Sequence, residues 1–89
     1  MLEKDITITN RLGLHARASA KLVQALQGFQ STTVIAYRGK EVNAKSIMGV
    51  MMLAAGLGAQ IRLRTDGPDE DAAMAAMAEL FERKFDEGQ

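Results

Sequence analysis

The sequence predicts an α+β fold, a two-layer sandwich in the order βαββαβα, with helices on one face of a four-stranded antiparallel sheet. Two features carry that expectation. The spacing of the apolar residues switches repeatedly between period two and period 3.6, which marks four strands and three helices. A short turn, Arg38-Gly39-Lys40, joins two strand-like runs, so at least that pair is antiparallel. With 89 residues, the chain suits one domain over 1–89 with a core of limited size.

The elements follow in order. Asp5–Thr9 alternates, with Ile6 and Ile8 on one face, and reads as a strand. His15–Gly28 changes to helical spacing from about Ala16. Leu22, Val23 and Leu26 share one face with Ser19, while Arg17, Lys21 and Gln24 lie opposite. Gly28 is a suitable stop. Ser31–Tyr37 is β-branched and reads as the second strand, and Glu41–Asn43 begins the third. Ser46 caps a short helix running to about Leu53, which Gly56 and Gly58 close. Gln60–Thr65 is the fourth strand, with Ile61 and Leu63 inward and Arg62 and Arg64 outward. In the last segment Pro68 suits the first helical turn, and Asp69, Glu70 and Asp71 favour the positive end of the helix dipole. Ala73, Met77, Leu80, Phe81 and the stem of Lys84 form its inner stripe.

Composition excludes several classes of function. Eleven Lys and Arg balance eleven Asp and Glu, unlike a nucleic-acid binder that relies on bulk positive charge. Three Phe and one Tyr are too few for a base-stacking platform. With no cysteine and one histidine, neither disulfides nor an ordinary zinc site can form. There is no GxxxxGK[ST] loop for a nucleotide, and no cofactor is expected. The N-terminus lacks the pattern of a signal peptide, and Ile47–Ala59 is too short for a membrane span. Membrane insertion is therefore not expected, and the expected location is cytoplasmic.

The single histidine stands where the first helix begins. A helix mouth offers free backbone N–H groups and a partial positive charge, so it binds anions without a dedicated pocket. A neutral imidazole nitrogen is a nucleophile. If His15 attacked phosphorus, the new phosphoryl oxygens would meet those N–H groups, and Arg17 could add its guanidinium. The same spacing also fits an exposed histidine of no consequence. No serine or acid has a visible partnership with His15, so a hydrolytic triad has no support.

The second helix is apolar all round, and in so small a domain one side must face solvent. Its methionines suit either gap filling or an adaptable docking patch. Ser46 reads first as a plain cap. A phosphate there would add roughly −1.5 to −2 charge beside the apolar patch and repel acidic partners.

Two segments, GLHARASAKL and NAKSIMGVMMLAAGLGAQIRLRTDGPDEDAA, resemble the HPr family, the small phosphocarriers of the bacterial phosphotransferase system. The resemblance runs through almost the whole chain without insertions. It implies an open-faced β-sandwich of four antiparallel strands and three helices. It also implies a phosphohistidine at Nδ1 of His15, charged by enzyme I and discharged to a histidine of an enzyme IIA. The family's active-site arginine falls on Arg17. Its regulatory serine, the target of an HPr kinase/phosphorylase in some bacteria, falls on Ser46. The family's partner surface maps to Leu14, Arg17, Ala20, Lys21, Gln24, Ile47, Met48, Met51 and Met52. Many members have proline after the active arginine, whereas this chain has Ala18, which keeps the helix without the ring's pre-set φ.

The wording of these segments and the FDEG tail are similar to proteobacterial forms. They favour the regulatory, nitrogen-related branch, NPr, over a dedicated sugar-uptake carrier. A monomer is expected. The alternative is a non-catalytic small-ligand regulatory module of split β-α-β type, such as the ACT type, in which His15 would have no special part.

Overall fold

The computed structural model describes residues 1–86. Its elements are β1 (Leu2–Thr7), α1 (Ala16–Leu26), β2 (Thr32–Tyr37), β3 (Lys40–Asn43), α2 (Ile47–Met52), β4 (Gln60–Asp66) and α3 (Glu70–Glu82), followed by a 3-10 turn, Lys84–Asp86. The strands form one antiparallel sheet in the order β1-β4-β2-β3. Its inner face, with Ile35, Ile61 and Leu63, joins the buried sides of the helices in one apolar core. The outer face stays open. There Arg62 bonds Asp5 (Nε–Oδ1 2.8 Å) and Arg64 grips Glu41 through two contacts of 3.0 and 3.1 Å. Both carboxyls are held below the usual range by these arginines. The edge strands β1 and β3 carry Glu3, Lys4, Asp5, Lys40 and Glu41, charges that discourage pairing with another chain.

The expected order of elements and the open sandwich are both observed, and α1 begins at Ala16 with His15 as its cap. Several boundaries differ. β1 runs over Leu2–Thr7 rather than Asp5–Thr9, because β4 extends to Asp66 and pairs Thr65 with Leu2. Ile8 still continues the ladder, donating to Ala59 O at 2.9 Å and accepting from Gly58 N at 2.8 Å. Pro68 stands before the α3 cap, Asp69, and not inside the first turn. The inner stripe of α3 holds Met74 and Ala78 as well as the four expected apolar residues.

Lys84 falls outside α3, which ends at Glu82. The backbone turns left-handed at Lys84, Phe85 and Asp86, and this folds Phe85 under the helix. Phe85 is fully buried and meets Phe81 edge-to-face, with ring centroids 4.9 Å apart. Lys21 of α1 secures the turn by donating its Nζ to Phe85 O at 2.7 Å. Of the FDEG tail, Phe85 and Asp86 are described, and the part beyond Asp86 lies outside the described residues.

Candidate functional site

The loop between β1 and α1 is held at each step, and this fixes the histidine. Asn10 is buried and donates its Nδ2 to Gly13 O at 2.8 Å, while Gly13 N returns a bond to Asn10 O at 3.2 Å. Gly13 has φ +63, and a Cβ there would lie 2.5 Å from Ala55 O. Only glycine allows that approach. Leu14 N then donates to Ala55 O at 3.0 Å, and Ser19 Oγ donates to Leu14 O at 3.2 Å. The loop after α2 thus serves as a wall against which the histidine loop is built.

His15 follows with extended backbone, and its carbonyl accepts the first helical bond from Ser19 N at 2.9 Å. Its side chain caps the helix, with Nδ1 accepting the Arg17 N–H at 3.3 Å. An accepting Nδ1 bears a lone pair, so any proton on the neutral ring sits at Nε2. The nucleophilic lone pair therefore points into the mouth of α1, toward the amide donors of its first turn. Arg17 is exposed one step along the helix.

Ser46 caps α2 by accepting the Gly49 N–H on Oγ at 3.0 Å. Gly49 leaves room for that close approach, since a Cβ would meet Ser46 Oγ at 3.2 Å and Val42 Cβ at 3.4 Å. Lys45 donates its Nζ to Phe29 O, which ties the entry of α2 to the exit of α1. α1 and α2 pack against each other. Of the apolar residues of α2 only Val50 is buried within the helix, while Met48 and Met52 are each 71% exposed and Ile47 and Met51 are exposed beside them.

Most residues expected on a partner surface lie on accessible ground: Gln24 is exposed, and Ala20 and Lys21 are half-buried. Leu14 is a correction. It is only 4% exposed and belongs to the core, because its amide docks on Ala55 and turns its side chain under α1. It is a supporting residue and not a contact.

Sequence reasoning missed Asn10 and Gly13 as the clamp of the loop, and it also missed how charge is distributed. No Asp or Glu occurs in 6–40 or 42–65. The stretches carrying the loop, α1 and α2 hold Arg11, Arg17, Lys21 and Lys45 with no acid among them. The signal was readable, but it is hidden by a net charge of zero. A groove of about 490 Å³ on the open sheet face, beside Asp5, Arg62 and the β2–β3 turn, shares no residue with this site. Among the described residues no group of His, Asp and Glu is placed to hold a metal ion, and no helix is long and apolar enough to cross a membrane.

Comparison with known proteins agrees with the geometry. A family model described as "PTS HPr component phosphorylation site" matches residues 2–83. A phosphocarrier protein HPr of Xylella fastidiosa (strain Temecula1) is 62% identical over 87 residues, covering 98% of each chain. The crystal structure of HPr-C-His from Thermoanaerobacter tengcongensis superposes with a TM-score of 0.94 at 44% identity, covering 98% of each chain. A crystal structure of an HPr dimer from the same organism gives a TM-score of 0.76 at 44% identity, covering 96% of this chain and 98% of that one.

Proposed function

The chain belongs to the HPr family of phosphocarriers of the phosphotransferase system, and from that premise we propose that His15 is the residue that carries the phosphoryl group, taking it from phospho-enzyme I and passing it to a histidine of an enzyme IIA. The observation that supports this most is the accepting Nδ1 of His15 at the mouth of α1. In the forward step its lone pair forms a P–N bond while the donor's P–N bond breaks, and the electron pair returns to the donor imidazole. The phosphoryl oxygens then take over the first-turn N–H groups that Nδ1 now caps. The Arg17 guanidinium adds charge-assisted donors. In the second displacement the acceptor's imidazole forms a new P–N bond while the His15 Nδ1–P bond breaks and its electron pair returns to Nδ1, and no cofactor enters either step. The family assignment sets aside the small-ligand module.

Ser46 is read as a second, regulatory phosphorylation site, written by an HPr kinase/phosphorylase where one is present. The surface of α1 and α2, less Leu14, is read as the docking face, with the chain acting as a cytoplasmic monomer. The KSIMGVMMLAAG wording supports the regulatory, nitrogen-related branch. A nitrogen-regulation factor encoded beside the gene would agree with that branch, and a sugar permease there would overturn it.

The test of the central step is direct. The chain is incubated with enzyme I and labelled phosphoenolpyruvate, and the product is treated with acid and with base. One acid-labile, base-stable phosphoryl group per chain is expected, as for a phosphoramidate. Full labelling of His15→Ala would refute the assignment.

A further inference from the structure

The groove on the open side of the sheet arises from a break in the strand ladder. β2 and β4 stay paired from Thr32–Asp66 to Ala36–Arg62 and no farther. Beyond that point β2 keeps β3, with Tyr37 opposite Lys40, and β4 keeps β1, with Gln60 opposite Thr7. The two inner strands therefore part at this end of the sheet. Between them lies the groove of about 490 Å³, within the ~300–1,000 Å³ usual for small-ligand sites. Ala36 stands where the strands part. Strands favour larger, β-branched residues, and this small side chain leaves the groove unfilled.

The rim carries an arginine that folding does not call for. Arg38 and Gly39 form the two-residue β2–β3 turn, with φ 51 and 80. Such a turn favours Asn or Asp before the glycine, because its first residue must be left-handed. An arginine there strains the backbone, and strain of this kind clusters at ligand sites. The Arg38 guanidinium lies over the Tyr37 ring, 5.1 Å from its centroid, and no carboxylate pairs with it among the described residues. Arg62, also lining the groove, is already matched by Asp5 at 2.8 Å. The groove thus holds one cation in excess. Thr7 and Gln60, both exposed, add a hydroxyl and an amide, groups that donate and accept alike.

We propose that this groove binds a small hydroxylated carboxylate, with the Arg38 fork on the carboxylate and Thr7 and Gln60 on the hydroxyls. One unmatched guanidinium calls for one negative charge, and its planar fork fits a carboxylate. Side chains that both donate and accept fit hydroxyls, which do the same. The groove shares no residue with the His15 site, so the proposal stands apart from the phosphocarrier reading.

Gluconate serves as the probe. The isotopically labelled chain is titrated by NMR with sodium gluconate at constant ionic strength, beside glucose and sodium acetate. Gluconate should give saturable shifts of the Thr7, Arg38, Gly39 and Gln60 amides, and bind about tenfold or more tighter than glucose or acetate. Arg38→Asn suits the turn and should keep the melting temperature, yet weaken gluconate by about tenfold or more, as loss of a charged donor does. Ala36→Val should fill the groove and weaken gluconate as well, while His15→Ala should bind it like the wild type. No shift at the groove would overturn the proposal, and so would equal binding of acetate, which would mean general attraction of anions. Shifts confined to the first-turn amides of α1 would place the anion at the helix mouth and overturn it too. Unaltered gluconate binding in Arg38→Asn would remove the carboxylate from the groove.

Discussion

Nδ1 of His15 caps α1 by accepting the Arg17 N–H, so a phosphoryl group on that atom must displace the cap that orients the ring. The displaced amide is not left without a partner, because the phosphoryl oxygens are stronger acceptors at the same place. The loop can bear the exchange because His15 is held by its backbone through Asn10, Gly13 and Ser19 rather than by its side chain. Arg17 contributes nothing comparable to the fold. Its side chain lies on the exposed face of α1, so Arg17→Ala should change stability by no more than ~0.5 kcal/mol. Transfer from enzyme I should slow by about tenfold or more, since a hydrogen bond from a charged donor is typically worth ~1.5–3 kcal/mol. Stopped-flow transfer beside chemical denaturation separates the two effects, and equal transfer rates would contradict the role given to Arg17.

The elements meet through caps and clasps that link one to the next. At α2, Ser46→Ala should cost ~1 kcal/mol by losing the bond to Gly49 N. Ser46→Asp should keep the fold, because aspartate is also a good cap. It should nevertheless weaken binding to enzyme I by several-fold, measured by calorimetry, since the added charge sits beside exposed Met48 and Met51 and must be desolvated on docking. Unchanged affinity would leave Ser46 as a cap and nothing more. At the far end of the sheet Asp69 holds the start of β2 to the start of α3, accepting from Ser31 Oγ and from the amides of Gln30 and Ser31 at 2.9 Å each. The Ser31 hydroxyl, then the Gln30 amide, hold its carboxyl below the usual 3.8. A depressed carboxylate stabilises the fold above its unfolded value and ceases to do so as pH falls through its folded one. Asp69→Asn should therefore melt below the wild type at neutral pH, and the two curves should converge as pH drops below 3.8. A gap that stays constant into acid would exclude the clasp as a source of acid sensitivity. The sequence announced Asp69 only as a helix-start acid. Its partners lie 38 and 39 residues away in the chain, and no local pattern encodes such a pairing.

Across the whole molecule, legibility divides along the same line. Periodicity revealed the order of the elements and the inward positions of Ile61, Leu63 and Leu22, because burial of alternate or helical faces is local. It could not reveal that β4 lies between β1 and β2, nor that Phe85 folds back under α3, because both depend on contacts distant in sequence. Leu14 was misplaced for a related reason. It precedes the helix, so no helical face assigns it, and only the docking of its amide on Ala55 sends it inward. The place of His15 as the cap of α1, with Arg17 one step along, was legible because one helix mouth supplies both positions. The charge pattern was legible but needs position as well as sum. All eleven acids lie outside 6–40 and 42–65, on β1, β3, the end of β4 and the C-terminal segment, whereas the loop, α1 and α2 carry cations alone. A neutral molecule of this kind is a dipole, and its cationic side is the one that carries His15. Attraction across that side is screened once salt shortens the Debye length from ~10 Å at ~0.1 M to ~3 Å at ~1 M. The KM of enzyme I for this chain should therefore rise several-fold between ~0.05 and ~0.5 M sodium chloride, with kcat little altered, because steering acts on encounter rather than on the chemical step. A KM independent of salt would mean that docking is carried by the apolar residues of α2 alone.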